Sequence, residues 1–198
     1  MRARSRILIC VAAATAIASA SSSALADDTS AQGPAYVQGS VGVNYWDFPD
    51  IRFTFLIFTF TGSYSWSAFR PDIEIGYHPS GRHDGLAFGL RQAFYVDALQ
   101  GHAAAATILR VGYDLPYRVG QLEVNVDPFA TFGIGYIFDN LHAGIAATGG
   151  IDVKLFVTNG VYVMARPAEL GIQCFHDVGF CAFSYAASAG AGFAFGGR

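Results

Sequence analysis

The stretch Ser188-Ala189-Gly190-Ala191-Gly192-Phe193-Ala194-Phe195 decides the fold, because small residues alternate there with two phenylalanines almost at the end of the chain. Residues two apart lie on the same side of a β-strand. Upstream, Phe183 and Tyr185 fall on the side of the two phenylalanines, whereas the opposite side carries serines and glycines. The segment from Ala182 to Phe195 therefore predicts a strand with one apolar face and one face of small residues.

The same period of two recurs in seven earlier segments. They cover residues 37–45, 69–77, 86–97, 109–115, 131–138, 144–154 and 161–171. The last of these is the least regular: if Arg166 faces inward, Pro167 and Glu169 face lipid unless a β-bulge intervenes. Eight segments of about ten residues predict an all-β fold, a closed antiparallel up-and-down barrel that crosses an outer membrane.

The connections between these segments differ in length. Short turns are predicted at 78–85, 116–121 and 158–160, and Asn159-Gly160 is a strong hairpin signal. The connection at 47–65 is long and contains the apolar run 53–60, which we expect either to extend the first hairpin, to lie against lipid or to cap the barrel mouth. With both termini in the periplasm, the short turns are predicted on that side and the longer loops outside.

The composition agrees with a membrane barrel. Hydrophobic residues make up 53% of the chain and aromatic residues 15%, and Lys154 is the single lysine. A soluble domain needs a more charged surface, and no stretch after the N-terminal segment has the ~18 apolar residues of a membrane helix. The formal net charge of −3 excludes a typical nucleic-acid binder.

The N-terminus is typical of a secretory signal peptide. Arg2, Arg4 and Arg6 precede a short apolar stretch, and Ala24-Leu25-Ala26 matches a cleavage site. We therefore expect residues 1–26 to be removed and residues 27–198 to form one barrel domain.

Charged residues of the strand segments share the side opposite the apolar residues and are predicted to face the lumen. They are Arg70, Asp72, Glu74, Arg91, Arg110, Asp114, Asp152, Lys154 and Arg166. The interior of a barrel of about eight strands is just wide enough for side chains to fill, and unpaired charges there are costly. We expect an ion-pair network that plugs the lumen; the alternative is a narrow pore lined by the same charges.

Aromatic residues near segment ends suggest the interfacial girdles of a membrane barrel. They are Tyr45, Trp46, Trp66, Tyr77, Tyr113, Phe138, Tyr185 and Phe195. A soluble barrel that carries a lipophilic ligand would reverse the two faces, but the face of glycine, alanine and serine suits a crowded interior better than a solvated surface.

Cys174 and Cys181 are the two cysteines after the signal peptide and are expected to form a disulfide in an oxidising compartment. Metal binding by this pair with His176 is the alternative. The histidines at 78, 83, 102, 142 and 176 fall in turns or loops and are expected to be ordinary solvated side chains. No metal, no cofactor and no catalytic residue is expected.

The polar residue, glycine and spaced aromatics of the terminal strand resemble the C-terminal assembly signal of small outer-membrane barrels of the OmpA/OmpX superfamily. The resemblance marks Gly190, Phe193 and Phe195 as that signal, although Gly196-Gly197-Arg198 follow the final aromatic. It implies contact with outer-membrane lipid and lipopolysaccharide, passage through the barrel-assembly machinery and a monomeric state.

The same resemblance implies a structural or surface-interaction protein. The alternative is a lipid A-modifying enzyme, since some barrels of this superfamily deacylate or acylate lipid A. The His-x-Ser pairing of the deacylases is absent from the sequence, and the pairs Asp139 with His142 and His176 with Asp177 have no evident serine partner.

Overall fold

A computed structural model describes residues 33–55, 58–97, 101–119, 122–138, 142–158, 160–175 and 180–195, with the backbone alone at 48–55, 58–64, 119 and 180. The predicted signal peptide lies outside the described residues. Eight strands follow one another along the chain. They are β1 (Ala35–Phe55), β2 (Phe58–Tyr77), β3 (Gly85–Val96), β4 (Ala103–Val119), β5 (Leu122–Ile137), β6 (His142–Phe156), β7 (Val161–Phe175) and β8 (Phe180–Phe195). No helix in the described part of the chain is long and apolar enough to cross a membrane.

The strands form a closed antiparallel barrel in which each pairs with its neighbour in sequence. The seam between the first and last strands closes it, with a register that runs from Ala35 opposite Phe195 to Asp47 opposite Phe183. The prediction of an eight-stranded up-and-down barrel is therefore confirmed.

The apolar side of the strands faces outward. Val43, Leu109 and Leu170 are 64%, 63% and 66% exposed, although they lie within strands. The charged residues of the opposite side are buried in the interior. This arrangement suits a barrel whose outer face contacts the hydrocarbon of a bilayer and whose lumen is polar. The predicted orientation of the two faces is confirmed.

The first hairpin projects beyond the barrel wall. β8 pairs with β1 as far as Asp47, and β3 pairs with β2 as far as Phe69. Beyond these points β1 and β2 pair with each other up to Phe55 opposite Phe58. The prediction of a loop at 47–65 is wrong, and the apolar run extends the hairpin because its alternation of phenylalanine and threonine is a strand pattern.

The predicted turn at 116–121 is also too long. β4 continues to Val119 and β5 begins at Leu122, so that Pro116 lies within a strand opposite Asn125. β5 thus begins nine residues before the predicted segment 131–138, and one of these nine residues is Asp127.

A β-bulge interrupts β7 between Arg166 and Glu169. Two successive residues, Pro167 and Ala168, face outward there, while Arg166 and Glu169 are both buried. A bulge of this kind accommodates a proline, which has no amide hydrogen to donate to a neighbouring strand. The bulge thus explains why this strand departs from strict alternation, and it places Glu169 in the lumen.

Candidate functional site

The lumen is the candidate site, because every strand sends alternate side chains into it. All nine charged residues predicted for the lumen are buried there. Asp127 and Glu169 join them, and neither was among the predicted residues. Asp127 was missed because its segment was not assigned to a strand, and Glu169 because the bulge changes the alternation.

Glu169 accepts hydrogen bonds from four side chains. The Nη2 atoms of Arg70 and Arg91 each lie 2.8 Å from one of its carboxylate oxygens, and the Thr148 hydroxyl donates to Oε1 at 2.8 Å. Arg166 Nη1 lies 3.4 Å from Oε2. One carboxylate therefore links β2, β3, β6 and β7 across the interior.

Asp152 forms the next link toward the chain termini. Arg166 donates to it from Nε at 2.6 Å and from Nη2 at 2.9 Å. Arg110 Nη2 lies 3.1 Å from Asp152 Oδ2 and 2.5 Å from Asp127 Oδ2. Such two-pronged arginine–carboxylate contacts are stronger than contacts between neutral groups and fix the orientation of both side chains.

Lys154 completes the network at the end of the barrel that carries the termini, which we call the terminal end. Its Nζ atom lies 2.9 Å from both carboxylate oxygens of Asp114 and 2.8 Å from Asp127 Oδ2. Because a buried ammonium needs several acceptors to offset its lost hydration, the single lysine of the chain has a specific place in the lumen.

Phe129 lies among three guanidinium groups in the middle of the lumen. The Cζ atoms of Arg110, Arg166 and Arg91 are 4.6, 4.8 and 5.5 Å from its ring centroid. The face of an aromatic ring attracts cations, so this ring fills space between the charges without removing their partners.

Two tyrosines cross the lumen at the terminal end. Tyr36 donates from its hydroxyl to Glu74 Oε1 at 2.7 Å, and Tyr162 donates to Gln38 Oε1 at 2.9 Å. A Cβ atom at Gly192 would lie 2.3 Å from the Tyr162 ring. Glycine at this position is therefore required by the close approach of the ring.

His78 and His83 lie beside these tyrosines, and both are buried, so the prediction that they are solvated is wrong for this pair. Their ring centroids are 4.2 Å apart. His78 Nε2 lies 2.7 Å from Asp114 Oδ2, and the Tyr36 ring contacts both imidazoles at a centroid distance of 5.4 Å. The turn between β2 and β3 folds its histidines into the lumen because the aromatic rings there form an apolar lining for them.

Burial lowers the pKa of His83 to about 2, and the positive charge of Lys154 acts in the same direction. His83 is therefore a neutral imidazole at ordinary pH. Ligand-type atoms of His78, His83 and Asp114 all lie within 4.8 Å of one another. No feature of the sequence predicts this cluster, because its two histidines come from the turn after β2 and its aspartate comes from β4.

The opposite end of the lumen, which we call the outer end, is filled by aromatic rings. Trp46 and Trp66 stack with centroids 4.3 Å apart and an interplanar angle of 14°, and Tyr95 contacts Trp46 edge-on at 4.7 Å. The prediction of Trp46 and Trp66 as girdle residues is wrong, because both indoles are buried inside. Tyr77, Tyr113, Phe138, Tyr185 and Phe195 are exposed on the outside.

A disulfide joins Cys174 and Cys181 at the end of the β7–β8 hairpin, as predicted. Metal binding by the two thiolates is thereby ruled out, and His176 lies outside the described residues. Gly190 lies on the seam between β8 and β1, where an added Cβ atom would come within 2.0 Å of the Gly39 carbonyl oxygen. Phe193 pairs with Val37 of β1 and with Val161 of β7.

No protein-family model matches the chain, and no curated protein matches it in sequence. Among solved structures, Neisserial surface protein A (NspA) superposes with a TM-score of 0.60 at 16% identity, covering 81% of this chain and 97% of that protein. Ail, the attachment invasion locus protein of Yersinia pestis, matches with a TM-score of 0.37 at 9% identity over 83% of this chain and 99% of its own. The likeness to NspA is one of fold, a small closed barrel of eight strands, which the alternating segments and the terminal strand predicted.

Proposed function

We propose that this protein is a non-catalytic surface-interaction protein of the bacterial outer membrane, which presents its projecting β1–β2 hairpin to the outside and has a non-conducting lumen. The hairpin carries the proposal, because it extends beyond the pairing of both neighbouring strands. Eight residues of β1 follow its last pair with β8, and at about 3.4 Å per residue they span roughly 25 Å. A ribbon of that length reaches well beyond the mouth of the barrel.

The hairpin lies at the end opposite the chain termini. Outer-membrane barrels carry their longer extensions on the extracellular side, and this hairpin extends past the pairing of both its neighbours, which supports an extracellular position for it. Its tip has the sequence Phe53-Thr54-Phe55-Leu56-Ile57-Phe58-Thr59-Phe60, and Phe53 pairs with Phe60 across the ribbon. Apolar segments outside the core of a protein often mark contact sites, so we propose that this apolar sequence on the projecting ribbon contacts an apolar partner, the lipid of another membrane.

The test compares wild-type protein with two hairpin variants in proteoliposomes. Binding to vesicles of lipopolysaccharide and phospholipid and to cultured animal cells would be measured by co-sedimentation. A deletion of residues 50–61 and a length-preserving variant with serine at Phe53, Phe55, Phe58 and Phe60 are both expected to abolish binding. Equal binding by all three proteins would contradict the proposal.

The buried charges support a lumen that does not conduct. Arg70, Arg91, Arg110, Lys154 and Arg166 each have at least one carboxylate partner within 4.0 Å. A pore would require several of these contacts to break. Planar-bilayer recording of the wild type is expected to give insulating behaviour, and stable single-channel steps would favour the narrow-pore alternative.

One observation favours a catalytic alternative: His78 and Asp114 form a buried imidazole–carboxylate contact of the kind that orients a general base. Both side chains are fully buried, and Lys154 occupies the same carboxylate. Mass spectrometry of lipid A from cells with and without the gene distinguishes the two functions. An acyl change that depends on the gene would replace the proposal by an enzymatic one.

We further propose that Gly190, Phe193 and Phe195 form the signal by which the assembly machinery recognises the chain, and that the folded protein is a monomer in contact with lipid and lipopolysaccharide. Exchange of Phe195 for alanine is expected to lower the amount of protein in the outer membrane, because it removes the final aromatic of the signal. Phe195 lies on the outside of the barrel, so its loss leaves the charged lumen unchanged. An unchanged amount would contradict the signal, and a dimer in detergent would contradict the monomer.

A further inference from the structure

We propose that His78, His83 and Asp114 bind one divalent transition-metal ion of the zinc class at the terminal end of the lumen. Zn²⁺ and its neighbours in the first transition row bind well to two imidazoles and a carboxylate, whereas Ca²⁺ and Mg²⁺ prefer oxygen ligands. The candidate ligand atoms lie within 4.8 Å of one another. Both histidines come from the turn between β2 and β3, and Asp114 comes from β4, so a small inward movement of the turn brings the three ligands to coordinating distance.

His83 is the observation that points to a ligand. It is 1% exposed, and neither of its ring nitrogens has a hydrogen-bond partner among the described residues. Buried polar atoms are nearly always paired, and an exception calls for an explanation such as a bound ion. His83 faces His78 at a centroid distance of 4.2 Å, so its unsatisfied nitrogens belong to the cluster.

Asn125 adds a second unsatisfied group at the same place. Its amide nitrogen donates to the backbone carbonyl of His83 at 2.9 Å, while its own side-chain oxygen has no partner. A water bound to the ion as its fourth ligand has hydrogens to donate. The Asn125 amide oxygen is therefore a suitable acceptor for the fourth ligand of the ion.

Lys154 is the nearest cation and must remain stabilised when the ion binds. It contacts both oxygens of Asp114 and also Asp127 Oδ2. An ion bound to Asp114 Oδ2 leaves Oδ1 and Asp127 to the ammonium. Ligating carboxylates are commonly held by such outer partners, so Lys154 and the metal can share Asp114.

The ion would close the terminal end of the barrel by joining elements that are separate in sequence. The connecting turn is exposed at Pro79, Ser80 and Gly81, whereas both of its histidines are buried. Gly81 has a φ of 79° and Gly85 a φ of 73°, values that glycine adopts without strain. Movement of this exposed turn offers a route for the ion from the periplasm.

The test uses the full mature barrel, without a histidine tag, folded in detergent and stripped with a chelator. Titration with Co²⁺ is expected to give one saturable site with the visible absorption of a four-coordinate ion, and Zn²⁺ should displace it. His83→Gln is expected to weaken binding by on the order of 100-fold, since even loss of an outer partner costs about 10–100-fold. His142→Gln, which changes a histidine at the other end of the barrel, should bind like the wild type.

Folding of each variant is checked by its altered gel mobility before and after boiling. X-ray absorption of the zinc-loaded wild type provides a second readout that needs no variant. We expect two imidazole nitrogens at about 2.0–2.1 Å, oxygen in the remaining positions and no sulfur. The proposal is overturned if the wild type shows no one-to-one site, if His83→Gln binds as tightly, or if the absorption spectrum shows no imidazole.

Discussion

The two ends of the lumen are both filled by aromatic rings but are held in different ways. At the outer end, Trp46 and Trp66 stack against each other among small residues such as Ala93 and Ala106. At the terminal end, Tyr36 and Tyr162 are tied by hydrogen bonds to Glu74 and Gln38. The first end is closed by apolar packing, and the second by a polar network that reaches into the charged centre.

This difference indicates which substitutions should destabilise each end. Apolar packing depends on volume, so the outer end should tolerate a change of residue type better than a loss of size. A buried polar network depends on complete pairing, so the terminal end should be sensitive to single atoms. The charged centre lies between the two ends and supports both. A single substitution there is therefore expected to lower the stability of the barrel most.

The largest effect is expected for Glu169→Ala in that centre. It leaves Arg70, Arg91 and Arg166 without their shared acceptor, and removal of one partner of a buried ion pair costs about 3–5 kcal/mol. Urea unfolding of the barrel in lipid vesicles measures the loss. Asp47→Asn, at an exposed carboxylate of β1, is the control; a loss no greater than in the control would show that the centre does not support the ends.

Trp46→Ala at the outer end is expected to destabilise the barrel by about 3 kcal/mol, since it removes one of the two stacked indoles and leaves a cavity. Trp46→Phe keeps most of the volume and should cost clearly less. The same unfolding measurement compares the two variants. If both lose the same stability, the outer end does not depend on volume and the contrast with the terminal end disappears.

Gly192→Ala at the terminal end adds a single methyl group against the Tyr162 ring. The expected loss is about 1–3 kcal/mol, because overpacking forces the ring away from its acceptor on Gln38. Gly149→Ala is the matched control in β6, where an added Cβ atom meets nothing closer than 3.5 Å. A stable Gly192→Ala variant with normal gel mobility would mean that the terminal end is not closely fitted.

The smallest effect is expected from the double variant Cys174→Ser, Cys181→Ser. The disulfide joins residues separated by 7 positions, and closing so short a loop stabilises a protein by only about 2 kcal/mol. Unfolding of the wild type with and without reductant should reproduce the difference. A loss as large as that of Glu169→Ala would show that the outer end depends on this covalent link rather than on packing.

The two faces of the strands were predictable, because alternate residues of a strand point to opposite sides. Trp46 has the same parity as Gln38, Ser40 and Asn44 in β1, so the alternation itself places the indole inside. It was assigned to a girdle because of its position near the end of a segment. The period was the more reliable signal, since register along a strand is fixed by which face is buried.

The contacts inside the lumen were not predictable in the same way. A face assignment says that Arg110 and Asp152 both point inward, but not that they meet, because their contact depends on the stagger of eight strands around the barrel. The cluster of His78, His83 and Asp114 depends in addition on how one turn folds back. Neither quantity is encoded by local spacing.

The bulge in β7 changes how that strand tolerates mutation. Loss of one residue from a regular strand would exchange the faces of everything after it, turning lipid-facing side chains toward the water-excluded centre. In β7, where Pro167 and Ala168 both face outward, deletion of Pro167 restores strict alternation and leaves Glu169 and every later residue on its own side. The proline that breaks the pattern is thus the position at which this strand can be shortened without being inverted.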